Sequence, residues 1–322
     1  MPKSREPGMN RFPNKTLLVG CCLLSLALAA HAHAAELAPE STATLTLPQV
    51  VEGQPKAGVR SRQQAIEYAD TDVHHTVYLP KQWSAEGERL PIIFEYTGNY
   101  YPAAGSTGKV EDAGLGYGLS GGQFIWVVLP MIAPDGKSNA ITWWGDVDAT
   151  AAYAKTNVPR IIEQFHANPD AVYLCGFSRG AIGVNFLGLH DDEVAKLWTG
   201  FITHDHFDGV RSWRGTEWGS PLEAYRKQAS ERLKRVAGRP YLVCENGNIE
   251  PTKELVESVL GDQQAFTFLP INTRSIFGEF PHQHARHPHN DRWPLLPSKY
   301  RTAAWRWMNE ATSHSPRREE GK

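Results

Sequence analysis

Gly176-Phe177-Ser178-Arg179-Gly180 is the stretch of this chain whose residue types are set for chemistry. The turn signal Asn168-Pro169-Asp170 and the apolar run Ala171 to Cys175 come before it, and the small, apolar run Ala181 to Leu189 follows. That order predicts a strand, a tight turn and a helix, with a serine at the apex. A hydroxyl held there stands clear of the sheet, and the helix start directs unpaired N–H groups at any anion formed beside it. With 28 glycines in the chain, the five-residue pattern alone means little; the flanking strand and helix give it weight.

A serine is a weak nucleophile until a base removes its proton and a carboxylate orients that base. In α/β-hydrolases the chain order is serine, acid, histidine, with the histidine on the loop after the last strand. This chain carries His282, His284, His287 and His289 there, and His289, just before Asn290-Asp291-Arg292-Trp293 and the closing helix, is the first choice. His287 is the second. For the acid, Asp205 and Asp208 follow one predicted strand and Glu250 follows the next, where Asn248 occupies a place often held by an aspartate. An amide cannot stabilise an imidazolium as a carboxylate does, which favours the earlier loop. Asp208 is preferred there because Gly209 lets the backbone turn sharply after it; Asp205 and Glu250 follow in that order.

A tetrahedral intermediate needs two N–H donors for its oxyanion. One is expected from Arg179, next to the serine, the other from Gly98 or Asn99 after an earlier central strand. The Arg179 side chain would pair with a substrate carboxylate or form a structural salt bridge. Trp143 and Trp144 lie on a loop reaching the same end of the sheet, where aromatic faces could stack on a sugar or an aromatic acyl group. None of this chemistry needs a cofactor or a metal.

The elements that must position these groups alternate along the chain. Strands are expected over Val73–Leu79, Pro91–Tyr96, Phe124–Leu129, Ala171–Cys175, Trp198–Thr203, Pro240–Cys244 and Ala265–Leu269, with an edge strand over Ala43–Leu47. Helices are expected over Asp148–Phe165, broken at Pro159, and over Ala181–Leu189, Ser220–Val236, Pro251–Leu260 and Ser298–Glu310. Residues 103–122 read as a Gly-rich irregular loop. The alternation predicts one α/β domain over 36–312, its mostly parallel sheet covered by helices on both faces.

Before that domain, Lys3, Arg5, Arg11 and Lys15 make a basic start, Leu17–Ala30 is apolar, and Ala32-His33-Ala34 offers a small-x-small cleavage site. Residues 1–35 are therefore expected to be a secretory signal, with Met9 as an alternative start, and the protein is expected outside the cytoplasm, secreted or periplasmic. Leu18-Val19-Gly20-Cys21 resembles a lipoprotein box, but the apolar region mostly follows Cys21, so no stable membrane anchor is expected. Residues 313–322 read as a charged, disordered tail. Cys175 and Cys244 fall inside predicted strands and read as small buried hydrophobes. A net charge of −2 and the lack of a basic stripe argue against a nucleic-acid partner.

With Ile93-Phe94-Glu95-Tyr96-Thr97-Gly98, Gly176-Phe177-Ser178-Arg179-Gly180 and the late His289 in place, the chain resembles the α/β-hydrolase superfamily. It is most similar to secreted bacterial serine esterases of the feruloyl-esterase and polyhydroxybutyrate-depolymerase-like type, over roughly Val73 to Met308. The resemblance implies an α/β-hydrolase fold and cleavage of small-molecule or polysaccharide-linked esters by Ser178, Asp208 and His289. Two departures stand out: no His-Gly pair precedes Gly98, and Asn248 replaces the common late aspartate.

Two rival readings use the same residues. His204-Asp205-His206-Phe207-Asp208 matches the start of a metallohydrolase signature, which would make His204, His206 and Asp208 metal ligands. The other rival is a hydrolase-fold binding protein with a dead site.

Overall fold

Pro91–Tyr96 offers no polar face to solvent, so it has to run through the middle of a sheet with helices on both sides. In the computed structural model, which describes residues 36–210 and 222–314, β4 (Leu90–Tyr96) is buried along its whole length. It lies in a nine-stranded sheet of order β1-β2-β3-β5-β4-β6-β7-β8-β9. The remaining strands are β1 (Val50–Val51), β2 (Arg60–Gln63), β3 (His75–Tyr78), β5 (Ile125–Leu129), β6 (Ala167–Phe177), β7 (Gly200–His204), β8 (Tyr241–Asn246) and β9 (Phe266–Ile271). From β5 to β9 every pairing is parallel, and the antiparallel pairings are β2 with β3 and β3 with β5.

Strand alternation sorts the core into two layers. Ile92, Phe94, Val127, Val172, Leu174, Phe201 and Val243 face one layer. It is closed by α2 (Val147–Gln164), α3 (Arg179–Phe186), α4 (Asp192–Ala195), α5 (Leu222–Lys234) and α6 (Glu250–Leu260). Ile93, Trp126, Val128, Tyr173, Ile202 and Leu242 face the other, under α1 (Leu115–Leu119), α7 (Thr273–Phe277) and α8 (Lys299–Ser313). Cys175 and Cys244 are free thiols within that second layer. Among the described residues no helix is long and apolar enough to cross a membrane.

The structure corrects several sequence expectations. Residues 43–47 are not a strand; Leu45 and Leu47 pack on the second layer, and the Leu45 N–H donates to the Leu295 carbonyl at 2.8 Å. The edge is made by β1 and β2 instead. Pro159 does not break α2, which runs through it for 18 residues. A prolyl residue inside a helix costs about 3 kcal/mol; the buried stripe Ala151, Ala154, Val158 and Ile161 offsets that. The Gly-rich stretch 103–122 contains α1, concealed by Gly116, where a Cβ would lie 2.7 Å from the Trp126 ring. α8 continues to Ser313, past the expected Glu310. The expected signal segment, the tail from 315 and the first residues of the helix expected at Ser220 lie outside the described residues.

Candidate active site

Parallel strands bring their C-terminal ends to one edge of the sheet, and loops leaving that edge are where side chains from distant segments can meet. Phe177 at the end of β6 is the register partner of His204 at the end of β7, and Tyr96 at the end of β4 is the partner of Gly176. Ser178, Asp205 and the segment 97–99 therefore leave the sheet side by side.

Ser178 has φ 55° and ψ −115°, a strained setting for a residue with a side chain. The turn closes so tightly that a Cβ on Gly176 would lie 2.1 Å from the Gly180 carbonyl oxygen, and one on Gly180 would lie 1.8 Å from that of Tyr96. Both positions require glycine because the backbones touch. The Ser178 N–H donates to the His204 carbonyl at 2.9 Å, which anchors the bend.

The Ser178 hydroxyl lies 2.9 Å from His289 Nε2, and His289 Nδ1 lies 2.8 Å from Asp205 Oδ2. An ionised carboxylate only accepts, so the imidazole proton sits on Nδ1 and Nε2 is free to accept from the serine. The other Asp205 oxygen accepts the Asn246 N–H at 2.8 Å. Burial works to raise the Asp205 carboxyl pKa, but the neighbouring His204, the bond to His289 and the Asn246 amide together hold it below the ordinary value. Asp205 has a positive φ of 71°, which turns the chain the moment it leaves β7.

The residue preferred for this place is elsewhere. Asp208 is buried and paired with Arg232 of α5, whose Nε and Nη2 donate to its two oxygens at 2.8 and 3.1 Å. Asp205 thus takes the place assigned to Asp208. Glu250 is exposed at the start of α6 and pairs with Lys253. His287 accepts the His289 N–H on its own Nδ1 at 3.0 Å. The metal-like cluster does not converge: His204 bonds backbone carbonyls, Asp208 bonds Arg232, and the described residues hold no group of three or more potential ligands.

The Arg179 N–H belongs to the first turn of α3, where no intrahelical acceptor exists. Neither the Gly98 nor the Asn99 N–H donates to a backbone acceptor among the described residues. Gly98 and Asn99 line one cleft with Ser178, and Arg179 is the next residue in the chain. The Arg179 side chain serves neither expected purpose. Among the described residues no carboxylate pairs with its buried guanidinium, and burial pushes its pKa down to about 9. It donates to the carbonyls of Ala140, Trp143, Gly98 and Gly108 at 3.1, 2.8, 3.1 and 3.2 Å, tying the loop after β4 to the loop after β5 beside the serine. The sequence gives no sign of this role, because the acceptors are all backbone atoms.

Two clefts open on Ser178. One, of about 280 Å³, is lined by Asn99, Asp112, His284, Arg286, His289 and Arg292 among others. The second, of about 410 Å³, has an aromatic wall of Tyr100, Tyr101, Trp143, His206 and His287. Trp143 is fixed there by the bond from its N–H to Asn99 Oδ1 at 2.8 Å. Trp144 is 2% exposed and packs on Phe186 at 4.6 Å between ring centres, so it belongs to the core and not to the site.

The sheet order, the serine turn after its long central strand and the late histidine loop give the chain the α/β-hydrolase fold. Solved structures share it. An S-formylglutathione hydrolase from Agrobacterium tumefaciens is 15% identical with a TM-score of 0.51, covering 78% of this chain and 94% of that one. A sugar hydrolase from Lactococcus lactis is 14% identical with a TM-score of 0.51, over 80% of this chain and 100% of that one. The esterase Est22 is 12% identical, also at 0.51, over 74% and 76%. No protein-family model matches the chain, and no curated protein matches its sequence.

Proposed function

We propose that this protein hydrolyses carboxylic esters through an acyl-enzyme on Ser178. The reading rests on one observation, the unbroken hydrogen-bond chain from the Ser178 hydroxyl through His289 to Asp205. In the first half-reaction the Ser178 Oγ–H passes its proton to His289 Nε2 as Oγ bonds the ester carbonyl carbon. The carbonyl oxygen becomes an oxyanion held by the N–H groups of Arg179 and of Gly98 or Asn99. Collapse breaks the bond to the leaving alcohol, which receives the proton from His289. Water then repeats the sequence against the acyl-enzyme and releases the acid. Asp205 keeps the imidazole in the required tautomer and stabilises its protonated form.

The aromatic wall at Trp143 suits a planar or apolar group of the substrate, and the donor-rich cleft at Arg286 suits a hydroxylated one. Small-molecule and polysaccharide-linked esters both fit that division. The basic, apolar, small-x-small order of residues 1–35 supports action after export. N-terminal sequencing of protein recovered from an exporting host should begin near Ala35 or Glu36; an intact Met1 or Met9 would contradict export with cleavage.

The test of activity is a panel of p-nitrophenyl esters of graded chain length beside acetylated and feruloylated sugars. Turnover by the wild type that falls by several orders of magnitude in a folded Ser178→Ala variant is the expected result. Undiminished turnover in that variant would place the nucleophile elsewhere.

A further inference from the structure

Beneath Ser178, Asp205 and His289 lies an imidazole that the reaction above does not use. His204, the last residue of β7, is fully buried. Its backbone carbonyl accepts the Ser178 N–H, and its peptide neighbour is Asp205. Its ring Nε2 lies 2.9 Å from the carbonyl oxygen of Asn290, the residue after His289. A carbonyl only accepts, so Nε2 carries a proton and donates it. Ring Nδ1 sits 3.7 Å from Asp205 Oδ1 and 3.3 Å from the Cys244 carbonyl oxygen. The ring is stacked on Phe177 with 5.5 Å between centres and meets Trp293 edge-on at 5.8 Å. Ser178 is thus one hydrogen bond from this residue, Asp205 one peptide unit, and His289 one hydrogen bond and one peptide unit.

The late loop is the member most in need of such a support. Ser178 and Asp205 leave strands that are hydrogen-bonded to each other, but His289 sits on a segment outside the sheet. Asn290 organises that segment internally, donating from its side chain to the His287 and Pro288 carbonyls at 2.9 and 3.1 Å. The His204 bond is what ties its backbone to the end of the sheet at the residue beside the base. We infer that His204 is a positioning residue, its Nε2–H holding the Asn290 carbonyl so that the His289 ring meets Ser178 and Asp205 together. The inference rests on the hydrolase reading of Ser178.

Two substitutions separate positioning from mere filling of the core. His204→Phe keeps the ring and its stacking but removes the donor, whereas His204→Gln places an amide N–H near the position of Nε2. On a p-nitrophenyl ester that the wild type turns over, kcat of the Phe variant should fall on the order of 10- to 100-fold, with KM within about twofold. The Gln variant should recover to within about threefold of the wild-type kcat. Each is assayed at a temperature where circular dichroism shows it folded. A folded Phe variant with wild-type kcat, or equal losses in both variants, would overturn the inference. If the Phe variant does not fold, His204→Asn takes its place, because its amide is one bond too short to reach Asn290; equal kcat in the Gln and Asn variants would then overturn it. Absence of wild-type turnover on every ester removes the underlying reading, and this inference with it.

Discussion

Asp205 and Asp208 are separated by two residues, are both buried, and pair with different side chains. One holds an imidazole beside the serine, the other a guanidinium inside the protein. Asp205→Asn should lower kcat on the order of 10³- to 10⁴-fold while the thermal midpoint moves little, because the amide can present the wrong group to His289. Asp208→Ala should do the reverse. Removing one partner of a buried ion pair costs about 3–5 kcal/mol, read as a lower denaturation midpoint, while kcat at a permissive temperature stays near the wild-type value. If Asp208→Ala abolished turnover in folded protein and Asp205→Asn did not, the roles assigned to the two would be exchanged. The sequence brought both residues into view and ranked Asp208 first, whereas Asp205 is the one that meets His289. The Gly209 cue pointed to a turn after Asp208, whereas the turn that matters is at Asp205 itself, through its positive φ. Arg232, which claims Asp208, is one of several basic residues on α5 and carries no local mark of its partner.

At the scale of elements, the strand-turn-helix around Ser178 was legible because its constraint is local: small residues where backbones touch, apolar residues on either side. Gly180→Ala tests that constraint. A Cβ at 1.8 Å from the Tyr96 carbonyl oxygen forces strand β4 and helix α3 apart, and overpacking of that kind costs roughly 3 kcal/mol or more. Loss of soluble, cooperatively melting protein is expected; a normal melt would mean the turn is looser than described. The Arg179 side chain, in contrast, was not legible, since four carbonyls from two loops leave no trace in residue types. Arg179→Lys offers one compact ammonium where a planar fork reached four acceptors. It should lower kcat and increase proteolytic nicking of the loops around residues 98–108 and 140–143, measured by limited digestion. Wild-type kcat with unchanged digestion would show that the loops hold themselves. Pro159 and residues 43–47 were misread for the same underlying reason: tertiary burial outweighed a local preference.

For the whole molecule, the parallel sheet and its two apolar layers follow from strand alternation and were readable, while the β1–β2 edge was not, its two short strands showing too few residues for a period to emerge. The Asp205 carboxyl also leaves a signature in overall stability. Its folded pKa lies below the unfolded value, so it contributes stability that is present above the ordinary aspartate pKa of 3.8 and lost as pH falls through the lowered folded value. Denaturant midpoints compared at about pH 6 and about pH 3 should therefore drop less in Asp205→Asn than in the wild type. An equal drop in both would remove Asp205 from the acid response.

The central claim is that the Ser178 hydroxyl is the activated nucleophile, and covalent trapping reaches it most directly. Intact mass spectrometry after exposure to a fluorophosphonate should show one adduct per chain, mapped by peptide digestion to the segment containing Ser178 and missing from Ser178→Ala. Folded wild-type protein that stays unmodified, or an adduct that persists in Ser178→Ala, would contradict the account.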